Sequence, residues 1–211
     1  SNYRGSGPRC VNIDPENLWY YKPQECGGLE NVQSMNINIT AAEYVDGYIY
    51  MAATDGYLYV GQQGSWSSCR CAGYYSDTAA EIRDMAFNYQ DGALYALDAV
   101  NNLYTVDLIS AELTKVANVT VTNPATSFYE KKKLTMLAID DYGNFYVVNR
   151  GTFPDAFLYR FTLDDIVDGK ITDLPPVVNE RTGRLGFYTA YGSLAWDHDR
   201  DILYMSGSAF A

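Results

Sequence analysis

Apolar and polar residues alternate along most of this chain, and the alternation is broken at short intervals by turn residues, which predicts short strands joined by hairpins. The first clear run, Met35-Asn36-Ile37-Asn38-Ile39, leads to a turn at Asp46-Gly47 and then to Tyr48-Ile49-Tyr50-Met51. A second turn, Thr54-Asp55-Gly56, leads into Tyr57-Leu58-Tyr59-Val60, so two hairpins in succession predict a meander. The pattern returns in Ile82 to Phe87, Leu94-Tyr95-Ala96-Leu97, Leu103 to Asp107 and Leu113-Thr114-Lys115-Val116. It returns again in Leu134 to Ile139, Phe145-Tyr146-Val147-Val148 and Phe157 to Phe161. No segment sustains a 3.6-residue period, so long helices are not expected.

These runs contain four copies of one unit: a small Ala, a turn, then an aliphatic or aromatic residue followed by Tyr. The copies span Ala41 to Tyr50, Ala86 to Tyr95, Ala138 to Tyr146 and Ala195 to Tyr204, with their Tyr anchors 45, 51 and 58 residues apart. Such a period predicts an all-β chain built as a β-propeller, with one four-stranded sheet per blade. Blades are expected over 35–76, 77–125 and 126–185, with a partial one over 186–211, behind a Gly- and Pro-containing arm at 1–34. About three and a half blades would leave an exposed edge. Further sequence, the arm or a second chain is expected to complete the ring, and the start at Ser1 reads as a processed or excised piece.

Composition sharpens the class. Of the 211 residues 47% are apolar and 15% aromatic, with Tyr supplying 20, which suits half-buried pleated surfaces. The formal net charge of −11 opposes nucleic acid as a partner and disfavours an anionic membrane. The basic run Lys131-Lys132-Lys133 reads as a solvated loop, and no apolar stretch reaches the roughly 20 residues of a spanning helix. Cys10, Cys26, Cys69 and Cys71 all fall in the first third of the chain. With no histidine near them they are expected to form disulfides rather than a zinc site, tying Cys10 and Cys26 to the Cys69/Cys71 pair in an order left open, in an oxidising, extracellular setting.

The blade pattern from Met85 to Asp107 resembles the repeats of secreted bacterial β-propeller proteins of the quinoprotein-like and WD40-like superfamily, as do Leu134 to Phe161 and Ser193 to Met205. The resemblance implies an extracellular or cell-surface protein acting in adhesion or in glycan or protein recognition. Residues that hold the quinone cofactor have no counterpart here, so no cofactor is expected.

Candidate chemistry is sparse. Asp197-His198-Asp199-Arg200-Asp201 has the alternating acids of a calcium loop, but it falls where the other copies place a hairpin turn and lacks the Gly and distal Glu of such loops. A structural turn is expected there, with calcium as the alternative. His198 is the single histidine, which removes any multi-His metal site. Adjacent acids such as Asp140-Asp141 and Asp164-Asp165 would project oppositely from a strand and make a poor glycosidase pair. Loop aromatics are the better lead: Trp66 with Tyr74 and Tyr75, and a second group of Phe187, Tyr188 and Tyr191, are candidates to stack on a sugar or anchor a protein, with packing between blades as the structural alternative for each. Asn38-Ile39-Thr40 and Asn118-Val119-Thr120 fit the glycosylation sequon. A non-enzymatic binding or structural module is therefore expected, with a glycan or an extracellular protein as partner. The alternative is a propeller lyase or hydrolase using acids at the central opening, completed by blades outside this segment.

Overall fold

The computed structural model describes residues 11–12, 24–25, 38–62, 65–151, 155–177, 185 and 188–208. Among them there is no α-helix and no helix long and apolar enough to cross a membrane. Strands β1 (Val11–Asn12) and β2 (Gln24–Glu25) form a short antiparallel pair. The first large sheet is a meander of β3 (Ile39–Val45), β4 (Tyr48–Ala53), β5 (Tyr57–Gln62) and β6 (Ser65–Tyr74). Of these, β4 and β5 are the expected strands, the run Met35 to Ile39 lies mostly outside the described residues, and β6 occupies a stretch expected to be a loop. The second begins as a meander of β7 (Ile82–Asn88), β8 (Ala93–Asp98), β9 (Asn102–Val106) and β10 (Leu113–Val121). The third holds β11 (Leu134–Ile139), β12 (Phe145–Asn149) and β13 (Leu158–Phe161).

One strand departs from the expected one-sheet-per-repeat meander. β14 (Lys170–Leu174) does not extend the third sheet but runs parallel to β10, making the second sheet five-stranded. The cause is local. Thr162 and Asp165 form a reciprocal capping box around a short 3₁₀ turn. Asp168 and Gly169, at φ of 50° and 70°, then reverse the chain between Val167 and Lys170 and aim it back along β10. A fourth pair, β15 (Tyr188–Asp197) with β16 (Ile202–Ser208), completes the described strands.

The first strands of the four sheets, β3, β7, β11 and β15, lie side by side, and the sheets fan out from them in an open arc. Apolar layers fill the gaps between sheets. Leu58 and Val60 meet Ile82, Met85 and Leu94 between the first and second, and Leu97 and Leu103 meet Leu137, Phe145 and Phe161 between the second and third. Phe145 lies fully buried there, edge-on to Tyr95 at 4.9 Å and stacked on Phe161 at 5.1 Å.

The hairpins share a side-chain device. Asp140 Oδ1 accepts from the backbone N–H of Tyr142 and Asn144, while its Oδ2 accepts from the Asn144 side chain and the Tyr146 hydroxyl. Asp98 does the same with Val100, Asn102 and Tyr104. A shorter form, in which an Asp accepts a hydroxyl four residues on at 2.7 Å, joins Asp55 to Tyr59 and Asp91 to Tyr95.

Candidate functional site

Strand register brings together residues that the repeat pattern separates. Tyr95, Tyr146 and Tyr204 stand opposite Ala86, Ala138 and Ala195, but Tyr50 stands opposite Glu43 rather than Ala41. The first hairpin is the shortest, with Val45 paired to Tyr48 across the two-residue Asp46-Gly47 turn, which moves its register by two. One inner strand thus carries a carboxyl where three carry a methyl. Two residues back along the same face, Asp84 on β7 takes the position held by Ala41, Met136 and Ser193.

These positions line a cleft of about 360 Å³ between the inner strands. Glu43, Tyr44, Asp84, Tyr89, Trp196 and His198 give it its polar and aromatic wall, over a floor that includes Met85, Leu137 and Leu194. Asp84 Oδ2 accepts the Leu137 N–H at 2.7 Å and Oδ1 that of Met85 at 3.0 Å. Glu43 accepts the N–H of Tyr44 at 2.8 Å and that of Phe87. Each acid therefore takes a backbone donor from the inner strand of the next sheet, a group that would otherwise lack a partner on an open strand edge.

Removal from water dominates the protonation of both. Burial pushes Glu43 up to about 7, against the pull of its backbone donors and of His198. It pushes Asp84 up to about 8, helped by the charge of Glu43 and opposed by the Leu137 and Met85 donors. Near neutral pH the cleft therefore holds carboxyl groups that can both donate and accept hydrogen bonds.

At the mouth, His198 Nδ1 meets Asp141 Oδ1 at 2.5 Å and its ring sits edge-on to Tyr89, centroids 4.4 Å apart. Trp196 stacks parallel to Tyr146 with planes 4° apart, and its Nε1–H points at Asp141 Oδ2 from 3.5 Å. Asp197, Asp199 and Arg200 serve the hairpin as expected: Asp197 Oδ1 accepts both following N–H groups and its Oδ2 pairs with Arg200. No group of three or more His, Cys, Asp or Glu side chains that could hold a metal gathers among the described residues.

Four of the aromatics expected on loops lie in strands instead, Trp66 and Tyr74 in β6 and Tyr188 and Tyr191 in β15. Tyr75 is turned inward, 2% exposed, with its hydroxyl donating to the Ala53 carbonyl, because the chain must cross from the first sheet to the second over that core. It is a packing residue. Tyr74 is exposed and lies against Tyr57 at 4.7 Å. Trp66 lies in β6 and Tyr188 and Tyr191 in β15, but their side chains, and Phe187 altogether, lie outside the described residues. Cys71 is exposed and forms no bridge among the described residues; Cys10, Cys26 and the Cys69 side chain lie outside them, so the expected bridges stay a proposal. The two sequons also part: Asn38 is exposed, whereas the Asn118 amide donates to Asn102 Oδ1 and to the carbonyls of Val100 and Asn101. Sequence reasoning missed Glu43, Asp84, Asp141 and Trp196 as a group. The interruption of an all-Ala position by Glu43 was a signal, hidden by aligning the first repeat on Ala41.

No protein-family model matches this chain, and no curated protein does. Solved structures do. A chain of the nidogen/laminin complex aligns over 93% of this chain and 65% of its own length, with 9% identity and a TM-score of 0.58. A structural-genomics protein of unknown function from Bacteroides thetaiotaomicron aligns over 90% of this chain and 49% of its own, with 12% identity and a TM-score of 0.62. Myxococcus xanthus glutaminyl cyclase aligns over 95% and 77%, with 12% identity and a TM-score of 0.56. This chain thus spans about two thirds and one half of the length of the first two. What it has in common with these structures is the β-propeller fold.

Proposed function

We propose that this chain is an extracellular binding module whose ligand, a glycan, sits in the cleft between the inner strands. The observation that carries the reading is the wall itself: Trp196, Tyr89 and Tyr44 beside two proton-bearing carboxyls in one concavity. Aromatic faces pack on sugar C–H surfaces, and groups that donate and accept suit hydroxyls. The cleft volume is within the range of small-ligand sites. A glycan array followed by calorimetry on the wild type, Trp196→Ala and Tyr89→Ala tests it, with a loss of about tenfold or more in affinity expected for each variant. Absence of glycan binding, or variants that bind like the wild type, would overturn it. Trp66→Ala is the comparison, since weakened binding there alone would move the ligand to the Trp66 stretch of β6 singled out from sequence.

One observation favours a second reading, a propeller lyase or hydrolase. A carboxyl titrating at about 7 is suited to general acid–base work, and Glu43 is such a group. Slow turnover of any bound glycan, abolished in Glu43→Gln with affinity retained, would establish it.

A further inference from the structure

We propose that the group recognised in this cleft is an organic ammonium, held between the carboxyls of Glu43 and Asp84 and the rings of Tyr89 and Trp196. The inference rests on the reading of the cleft as the ligand site and names the chemistry that site selects.

Three observations point the same way. Among the described residues, Glu43, Asp84, His198 and the phenols of Tyr44 and Tyr89 are the ionisable groups lining the cleft, and no described Lys or Arg joins them. A cation entering there meets two acids and one histidine whose Nδ1 already faces Asp141. Next, the rings are fixed in place: Trp196 by its stack on Tyr146, Tyr89 by edge contacts with Phe87 at 4.9 Å and His198 at 4.4 Å. Fixed aromatic faces beside carboxyls are what attracts a desolvated ammonium. Finally, the equivalent positions of the other three sheets are Ala86, Ala138 and Ala195, so the acid at Glu43, which also accepts the Phe87 N–H, is particular to this side of the cleft.

The field at the mouth agrees. After burial, the charges of Glu43, Asp46 and Asp141 together with the Tyr44 phenol hold the Tyr89 hydroxyl above its ordinary value. A cation lowers the energy of each of these charges, whereas an anion raises it. Entry of an ammonium also displaces the proton that Glu43 carries near neutral pH: the carboxyl becomes a carboxylate and its proton passes to solvent. Glu43 faces His198 from the turn between β15 and β16, and Asp84 faces Glu43, so the release is governed by these groups. Binding should therefore tighten as pH rises through the range in which Glu43 and Asp84 give up their protons.

Two sources supply such a group, an amino sugar with its nitrogen unacetylated or a lysine-bearing protein segment. Calorimetry on the full chain with a glucosamine oligomer, its N-acetylated counterpart and an oligolysine peptide separates them. The deacetylated oligomer is expected to bind about tenfold tighter than the acetylated one at about pH 6, where its amine is charged, and oligolysine, whose amines stay charged throughout, is expected to bind tighter at about pH 8.5 than at about pH 6. The measured heat is expected to differ between buffers of unlike ionisation enthalpy, reporting the released proton. Glu43→Gln should remove both the preference and the buffer dependence, while Asp77→Asn, an exposed acid outside the cleft, keeps wild-type binding. Oligolysine binding more tightly than the sugar assigns the amine to a protein partner, and the reverse assigns it to an amino sugar. Equal binding of the acetylated oligomer overturns the inference, as does an equal loss in Asp77→Asn, which would mean bulk attraction to an acidic chain. If neutral glycans bind in the cleft and amines add nothing, the binding-module reading stands and this one falls; if neither binds, both fall. Should Glu43→Gln unfold, Tyr89→Leu gives the same discrimination through the loss of cation–ring contact.

Discussion

Asp140 shows how much one side chain can organise. Its two oxygens take four hydrogen bonds from Tyr142, Asn144 and Tyr146, and the residue is buried. Asp140→Ala is expected to destabilise the chain by about 2–4 kcal/mol in urea unfolding, while Tyr146→Phe, which removes one donor, costs about 1 kcal/mol. The cleft acids act with the opposite sign. A carboxyl whose folded pKa lies above its unfolded value binds more protons folded than unfolded in the window between the two. Stability should therefore fall as pH rises from the ordinary carboxylate range through about 7 for Glu43 and about 8 for Asp84. Asp84→Asn is expected to flatten that slope in melts taken across the window. It should also cost about 1–3 kcal/mol at acidic pH, since an amide can accept only one of the two N–H groups that Asp84 now accepts.

At the scale of elements, the turns and alternation were legible because hairpin chemistry is local: Asp46-Gly47 and the Asp–Tyr spacing sit within a few residues of the strands they join. The cleft was not legible, because it depends on register. A hairpin shortened by two residues moved Glu43 into the position of the repeat Ala, and no pairing of that kind is visible in one strand read alone. Nor was the path of β14, which follows from the Asp168-Gly169 reversal and from a partner about fifty residues earlier. The stacked interface between the second and third sheets gives the element-scale prediction. Phe145→Ala, which empties the space between Tyr95 and Phe161, should cost about 3–5 kcal/mol, against almost nothing for Phe128→Ala at an exposed site.

For the whole molecule, a stack of blades that touch only their neighbours would gain stability additively, each sheet opening nearly alone. β14 breaks that independence by joining the chain of the third repeat to the edge of the second sheet. It also sets an order in time. When β10 has been synthesised, its outer edge has no partner until residues 170–174 follow, an interval of about 3–10 s at ordinary rates of translation. During that interval a newly made second sheet presents a bare strand edge to whatever else is nearby, so the ribosome's pace over the third repeat decides how long the nascent chain stays open to wrong partners.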